Sequence, residues 1–177
     1  TSKGKIATNR VIICAGAWTA KLMEPLGNKP DIEPVRGQMI LFDAKPGQVN
    51  HIVLLRERYL IPRKDGRILV GSTLEHEGFV KITTAEAREE LYSTAVEIFP
   101  LLEHTPIEGH WAGLRPGSPS GIPYIGAYPG IAGLYFNAGH YRNGLVTGPA
   151  SARLAADLLL GRKPVMDPAP YALDANR

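Results

Sequence analysis

Cysteine is nearly absent: the 177 residues hold one, Cys14. That excludes an internal disulfide framework and suits a reducing compartment, so a cytoplasmic setting is expected. Within the run Val11-Ile12-Ile13-Cys14 the thiol is expected to be buried and inert. Long apolar runs are missing, with no stretch reaching the ~18 to 20 residues that cross a bilayer. No signal peptide is visible, and Thr1 rather than an initiator methionine comes first, so the chain reads as a fragment or processed product. Charge of one sign is also scarce: 20 Lys and Arg against 17 Asp and Glu leave a net +3, dispersed along the chain without the basic run that marks a nucleic-acid binder. His51 and His76 read as solvated, and His76, His104 and His110 lack metal-ligand spacing. No GxSxG elbow or Ser/His/Asp spacing is present, nor a Walker loop, nor a GxGxxG after a strand. What remains, at 44% hydrophobic content, is a globular chain long enough for one well-built core.

Glycine is plentiful, and its placement organises the reading. The stretch Trp111 to Thr147 carries two arginines among glycines: Arg115 in Gly113-Leu114-Arg115-Pro116-Gly117, and Arg142 in Gly139-His140-Tyr141-Arg142-Asn143-Gly144. Glycine lets backbone approach a ligand closely, and arginine grips a carboxylate through two parallel hydrogen bonds. The pair suggests a site for a small anion. Structural arginines in turns are the bland alternative.

Periodicity sets the elements around this stretch. Asn9 to Trp18 reads as a buried strand, a tight turn of small residues (Ala15, Gly16, Ala17) and a helix start, with Trp18, Leu22 and Leu26 forming an apolar helical face. Such a turn could underlie a nucleotide or be an ordinary junction. Glu33 to Phe42 reads as a strand with a bulge-compatible glycine in Arg36-Gly37-Gln38, and residues 52–55 as another. Strands at Tyr59–Pro62 and Arg67–Thr73 flank Lys64-Asp65-Gly66, a hairpin signal. Thr83-Thr84-Ala85-Glu86 reads as a capping box that opens a helix with Leu91, Val96, Ile98 and Phe99 on its apolar face, ended by Pro100. Strands follow at residues 108–114 and 134–137. A final helix from Gly144 to Leu160 stops at Gly161 and holds Pro149 near its first turn. The tail after Pro168 is expected to be weakly ordered.

The motifs ATNRVIICAGAW, PVRGQM, YLIPRKDGRILVGST, WAGLRP, SGIPYIG and GHYRNG occur in this order and cover nearly the whole chain. Together they resemble the C-terminal half of the flavin amine oxidases related to D-amino-acid oxidase, within them the glycine oxidase branch of thiamine biosynthesis. The resemblance implies an α+β fold. A mixed, largely antiparallel substrate-domain sheet (residues 20–115) would be joined to C-terminal pieces of a FAD-binding α/β domain (1–19 and 116–165), followed by a tail (166–177). The GxGxxG half that opens family members is absent here, so the chain alone is expected to be inactive and to bind flavin poorly.

The resemblance also implies roles. Tyr59, Arg115 and Arg142 would bind substrate, Tyr59 and Arg115 through its carboxylate. Gly16, Ala17, Trp18, Gly139, His140, Arg142, Asn143, Gly144 and Leu145 would contact non-covalent FAD. A physical account supports the placement that the resemblance implies: the start of the final helix carries unsatisfied N–H groups and partial positive charge, which, aimed at a bound flavin, would stabilise negative charge on its reduced form. An ordinary helix start and a core-packed Tyr59 stay open on the residues alone, and Tyr124 reads as packed. The implied reaction is hydride transfer from an amine-bearing carbon to FAD. The imine then hydrolyses to glyoxylate and ammonia when glycine is the substrate, and oxygen is reduced to hydrogen peroxide. No protein acid or base is required if the amine binds neutral. Partners would be a small amino acid and oxygen, and the full-length protein is expected to be a homo-oligomer. A sarcosine oxidase, a D-amino-acid dehydrogenase, a non-catalytic half pairing with a flavin-binding chain, and a plain carboxylate-binding module are the competing readings.

Overall fold

The computed structural model describes residues 2–176. In chain order the elements are β1 (Val11–Ile13), α1 (Thr19–Met23), β2 (Glu33–Phe42), β3 (Val53–Leu55), β4 (Arg58–Pro62), β5 (Ile68–Gly71), α2 (Ala85–Ile98), β6 (Ile107–Gly117), β7 (Tyr124–Ala127), β8 (Leu134–Ala138) and α3 (Gly144–Leu160). They form two units. Unit 1 holds the residues up to Pro34 and from Arg115 onward, and unit 2 holds Val35–Leu114. Residues 20–34 thus group with unit 1.

Unit 2 contains most of a five-stranded sheet of order β3-β4-β5-β2-β6. The β3–β4, β4–β5 and β2–β5 pairs are antiparallel, as expected. The β4–β5 hairpin closes through Asp65, whose carboxylate accepts the Arg67 N–H at 3.1 Å. Gly66 adopts φ +94°, and a Cβ there would lie 2.3 Å from the Pro46 nitrogen, so no side chain fits. Alternation along the strands puts Ile40, Phe42, Leu60, Ile68 and Val70 on one face, where they pack with Leu91 and Ala95 of α2 and with Leu102. Each such buried aliphatic or aromatic side chain contributes about 1.5–3 kcal/mol. The opposite face carries Met39, Tyr59 and Gly71.

The RGQ motif anchors a buried polar network. Arg36, 5% exposed, pairs with Glu75. Gln38, fully buried, donates to the Glu75 carboxylate at 3.0 Å and accepts the Thr84 N–H at 2.9 Å. His110 Nε2 lies 3.0 Å from Gln38 Oε1 and donates to it, because that oxygen has no proton to give. Burial alone would raise the Glu75 carboxyl, but hydrogen bonds from Thr73, Arg36 and Gln38 outweigh it and hold the group below the usual range.

This network moves two expected features. The cap of α2 is Thr84, whose side chain accepts the Ala87 N–H, and the Thr83/Glu86 box does not form. The reason is that Gln38 fixes the Thr84 amide and sets the helix start one residue later. The irregularity expected at Gly37 lies instead on the opposing segment. Met39 pairs with Gly71 but Arg36 bridges to Glu75, so the extra residue falls between Gly71 and Glu75.

In unit 1, β1 runs parallel to β8 and β8 antiparallel to β7. Met23, Ile32, Tyr124, Tyr128, Phe136 and Ala138 form one cluster, and Ile125, Leu154 and Ala155 a second beneath α3. Tyr124 packs as expected, and its hydroxyl accepts the Asp31 N–H at 3.2 Å. Helix α3 ends at Gly161, which is left-handed, with the Arg162 N–H on the Asp157 carbonyl at 2.8 Å.

Three expectations fail in this unit. Cys14 is exposed, since β1 is the outer strand of a three-stranded sheet with no strand beyond it among the described residues. Trp18, Leu22 and Leu26 are 49%, 58% and 39% exposed, while Ala17 and Met23 are buried: the periodicity was right and the phase was wrong, because α1 is a single short stretch between 3-10 turns. The tail is held rather than loose, with Tyr171 packed on the α3 cluster and Leu173 on the other.

Candidate active site

Arg115 lies near the end of β6, followed in the strand by Pro116 and Gly117. Arg142 lies in the turn between β8 and α3. Two hydrogen bonds tie these segments together inside unit 1. The Tyr141 N–H donates to the Pro116 carbonyl at 3.0 Å, and the Ser118 hydroxyl donates to the Gly139 carbonyl at 2.6 Å. The residue after Arg115 is thereby bonded to the residue before Arg142. Tyr141 takes φ +47°, a conformation that disfavours a bulky side chain and persists only where its surroundings enforce it. Here the Pro116 bond supplies that constraint.

Gly139 is required in the turn. Its φ is +82°, and a Cβ would meet Ile32, Ser118 and Tyr124 atoms at 3.3 Å each. Gly144 is constrained as well, since a Cβ would lie 3.2 Å from the His140 Cβ. Asn143 caps α3 without a side-chain hydrogen bond, so the first-turn amides look outward without the usual oxygen. Leu145 and Val146 beside them are 94% and 84% exposed. Arg142 is exposed and, among the described residues, makes no ion pair.

Among the described residues, three buried side-chain polar atoms have no partner: Thr19 Oγ1, Asn137 Oδ1 and His140 Nε2. Burial pushes the His140 imidazole below the usual histidine value, so it is neutral at pH 7. An unpartnered buried polar atom costs about 1–3 kcal/mol, and three in unit 1 suit a segment shaped for another polar group. Thr19 and Asn137 were not singled out from the sequence, although a polar residue inside the strand Leu134-Tyr135-Phe136-Asn137-Ala138 breaks an otherwise apolar run and could have flagged one of them. Ser118 and the Pro116 carbonyl were missed as well, because their role lies in the fold and not in residue type.

The other candidates are placed as follows. Gly16, Ala17 and Trp18 form a 3-10 turn directly after β1, with Gly16 at φ +53° and open space where its Cβ would be. Tyr59 lies on β4 in unit 2, with its ring edge over Gly71. Among the described residues its hydroxyl has no hydrogen-bond partner. Arg115 and Arg142 are thus brought onto bonded segments of one unit, while Tyr59 belongs to the other. Among the described residues no group of three or more His, Cys, Asp or Glu side chains could hold a metal ion, and no helix is long and apolar enough to cross a membrane.

Comparison with known proteins gives a consistent result. Residues 1–158 match the family model described as DAO, FAD dependent oxidoreductase. A glycine oxidase from Pseudomonas aeruginosa is 55% identical over 172 residues, which is 97% of this chain and 47% of that protein. The solved glycine oxidase of Geobacillus kaustophilus superposes with a TM-score of 0.93 at 30% identity, over 99% of this chain and 48% of its own. The iminodiacetate oxidase of a Chelativorans species superposes with a TM-score of 0.89 at 30% identity, over 97% and 48%. The chain spans about half the length of the curated relatives it matches.

Proposed function

The chain belongs to the DAO family of FAD dependent oxidoreductases, and on that premise we propose that the whole protein oxidises glycine or a related small amino acid. Bound FAD would supply the redox chemistry, a two-electron oxidation of the amine-bearing carbon coupled to reduction of oxygen to hydrogen peroxide. The imine left behind hydrolyses in water to glyoxylate and ammonia when glycine is the substrate. This chain binds and orients. Arg115 and Tyr59 hold the carboxylate, and Arg142 adds a second guanidinium. The 16–18 turn and the 139–145 turn receive FAD non-covalently. The residues present fit that group: the α3 amides lack a side-chain cap, His140 Nε2 and Asn137 Oδ1 lack partners, and Gly139 excludes a Cβ. A neutral His140 is a ring nitrogen able to donate or accept one hydrogen bond.

The observation that carries this reading is the bond from Tyr141 to Pro116, which sets the Arg115 segment against the turn that opens α3. Residues 1–19 and 116–165 are assigned to the flavin-binding domain, and 20–115 to the substrate domain. A cytoplasmic homo-oligomer serving thiamine synthesis completes the proposal, with a small amino acid and oxygen as partners. A secondary amine such as sarcosine is the second reading, favoured by the likeness to an enzyme named for iminodiacetate.

The test is peroxide release by the full-length flavoprotein with glycine, sarcosine and methylamine. Arg115→Ala is expected to lower kcat/KM for glycine by roughly 2–5 kcal/mol, the cost of breaking a partly buried charge pair. Methylamine, which has no carboxylate, should change little. Arg115→Lys should rescue only part, because a point charge cannot reproduce a two-pronged contact. Equal losses on glycine and methylamine would remove the carboxylate role.

A further inference from the structure

On the sheet face that bears Tyr59, one row of residues runs across three strands: Tyr59 pairs with Gly71, and Gly71 with Met39. Gly71 is in the middle and has no side chain, so its neighbours share the space above its α-carbon. Met39 Cγ and Cε lie 3.0 and 3.1 Å from the position a Gly71 Cβ would take, and Tyr59 Cε2 lies 3.4 Å from it. That ring carbon adjoins the one that bears the hydroxyl. The thioether of Met39 therefore lies beside the hydroxyl end of Tyr59. The register behind this arrangement is fixed from the other face, where the Gln38 N–H donates to Thr73 Oγ1 at 2.8 Å and the Thr73 N–H returns to the Gln38 carbonyl at 3.2 Å.

We propose that Met39 is a specificity-determining residue: its side chain walls one flank of the Tyr59 hydroxyl and limits the group carried on the α-carbon of the carboxylate that binds there. The inference rests on the carboxylate-binding role proposed for Tyr59. Methionine is unbranched and apolar, so the wall yields slightly in shape and offers a polar substituent only a weak sulfur acceptor. A wall of this kind discriminates by about 10- to 200-fold per methylene.

The test uses the full-length flavoprotein and three carboxylates without the amine: glycolate, (R)-lactate and (R)-2-hydroxybutanoate. Binding is read by titration calorimetry, which requires no turnover. In the wild-type protein each added carbon is expected to weaken binding about 10-fold. Met39→Ala should tighten lactate and 2-hydroxybutanoate by about 10-fold and move glycolate by less than about 3-fold. Met39→Leu, which conserves volume, should keep the wild-type ladder. If Met39→Ala does not fold, Met39→Val trims the same wall and is read the same way. A ladder unchanged in the trimmed variant, with wild-type binding intact, overturns the role of Met39 alone, as does a wild-type protein that binds all three equally. A wild-type protein that binds none of the three overturns the carboxylate site and the wall with it.

Discussion

Replacing Gln38 with leucine tests how unit 2 is held together. Gln38 is fully buried and its amide serves four groups: its nitrogen donates to Glu75 and Thr84 Oγ1, and its oxygen accepts from the Thr84 amide and His110. Leucine is close in size, so the substitution removes hydrogen bonds without opening a large cavity. Glu75 keeps Arg36 and Thr73 as donors. The Thr84 N–H and the His110 Nε2–H are stranded, at about 1–3 kcal/mol each, and the extra apolar burial returns part of that. The expected net loss is about 3 kcal/mol. It should be read as a lower midpoint in urea unfolding, together with faster hydrogen exchange at the first-turn amides of α2. Glu75→Gln provides the comparison: it leaves the Arg36 guanidinium buried opposite a neutral amide, for which a loss of about 3–5 kcal/mol is expected. A loss under about 1 kcal/mol for Gln38→Leu, with α2 exchange unchanged, would show that these hydrogen bonds do not hold the helix to the sheet.

Gly139→Ala places a Cβ 3.3 Å from three neighbours at a positive φ, so a destabilisation of about 1–3 kcal/mol is expected, with loss of bound flavin from the full-length protein measured by absorbance. Stability should fall as pH drops below about 6.5, the ordinary histidine value. His110, lowered by burial and by Arg88, and His140, lowered by burial, take up protons more readily once unfolded, so the native state gives up stability from about 6.5 down to their folded values. Glu75, held low in the folded state, adds a further loss at still lower pH as the pH falls through its folded value. Unfolding midpoints at pH 8, 6 and 5 check this, and a flat profile in the doubly substituted His110→Gln, His140→Gln protein between pH 8 and 5 would assign the upper part to the two histidines. The 177-residue chain alone is expected to purify without flavin absorbance, and stoichiometric retention of FAD by it would refute the two-part reading of the site.

Local chemistry carried much of the fold. Asp65-Gly66 closes its hairpin because both residues meet a conformational demand that few others satisfy, and α3 begins at Gly144 and stops at Gly161 for the same kind of reason. Phase and cover were not readable locally. Trp18, Leu22 and Leu26 share one helical face, but which face packs depends on Met23 meeting Phe136 and Tyr124, more than a hundred residues away. Thr83 and Thr84 are equally good caps as letters, and Gln38, far upstream, decides between them. At the candidate site the two arginines stood out by their glycines. The bond from Tyr141 to Pro116 did not, since it joins two backbone groups and any residue types would offer them.

The parallel pairing of β1 with β8 bears on how the chain is made. Val11 leaves the ribosome on the order of a hundred residues before its partner Leu134. At about 5–20 residues per second β1 waits roughly 10 seconds for that partner strand. Unit 2 is continuous in sequence and emerges during that interval, so it can complete its core first. Its folding also shortens the effective loop between β1 and β8 and lowers the entropic cost of joining them. Vectorial synthesis therefore favours one order of assembly, with the inserted unit first and the flanking strands last. During the wait the side of Val11, Ile12 and Ile13 that β8 later pairs lacks that partner, and that interval is when a chaperone has most to shield.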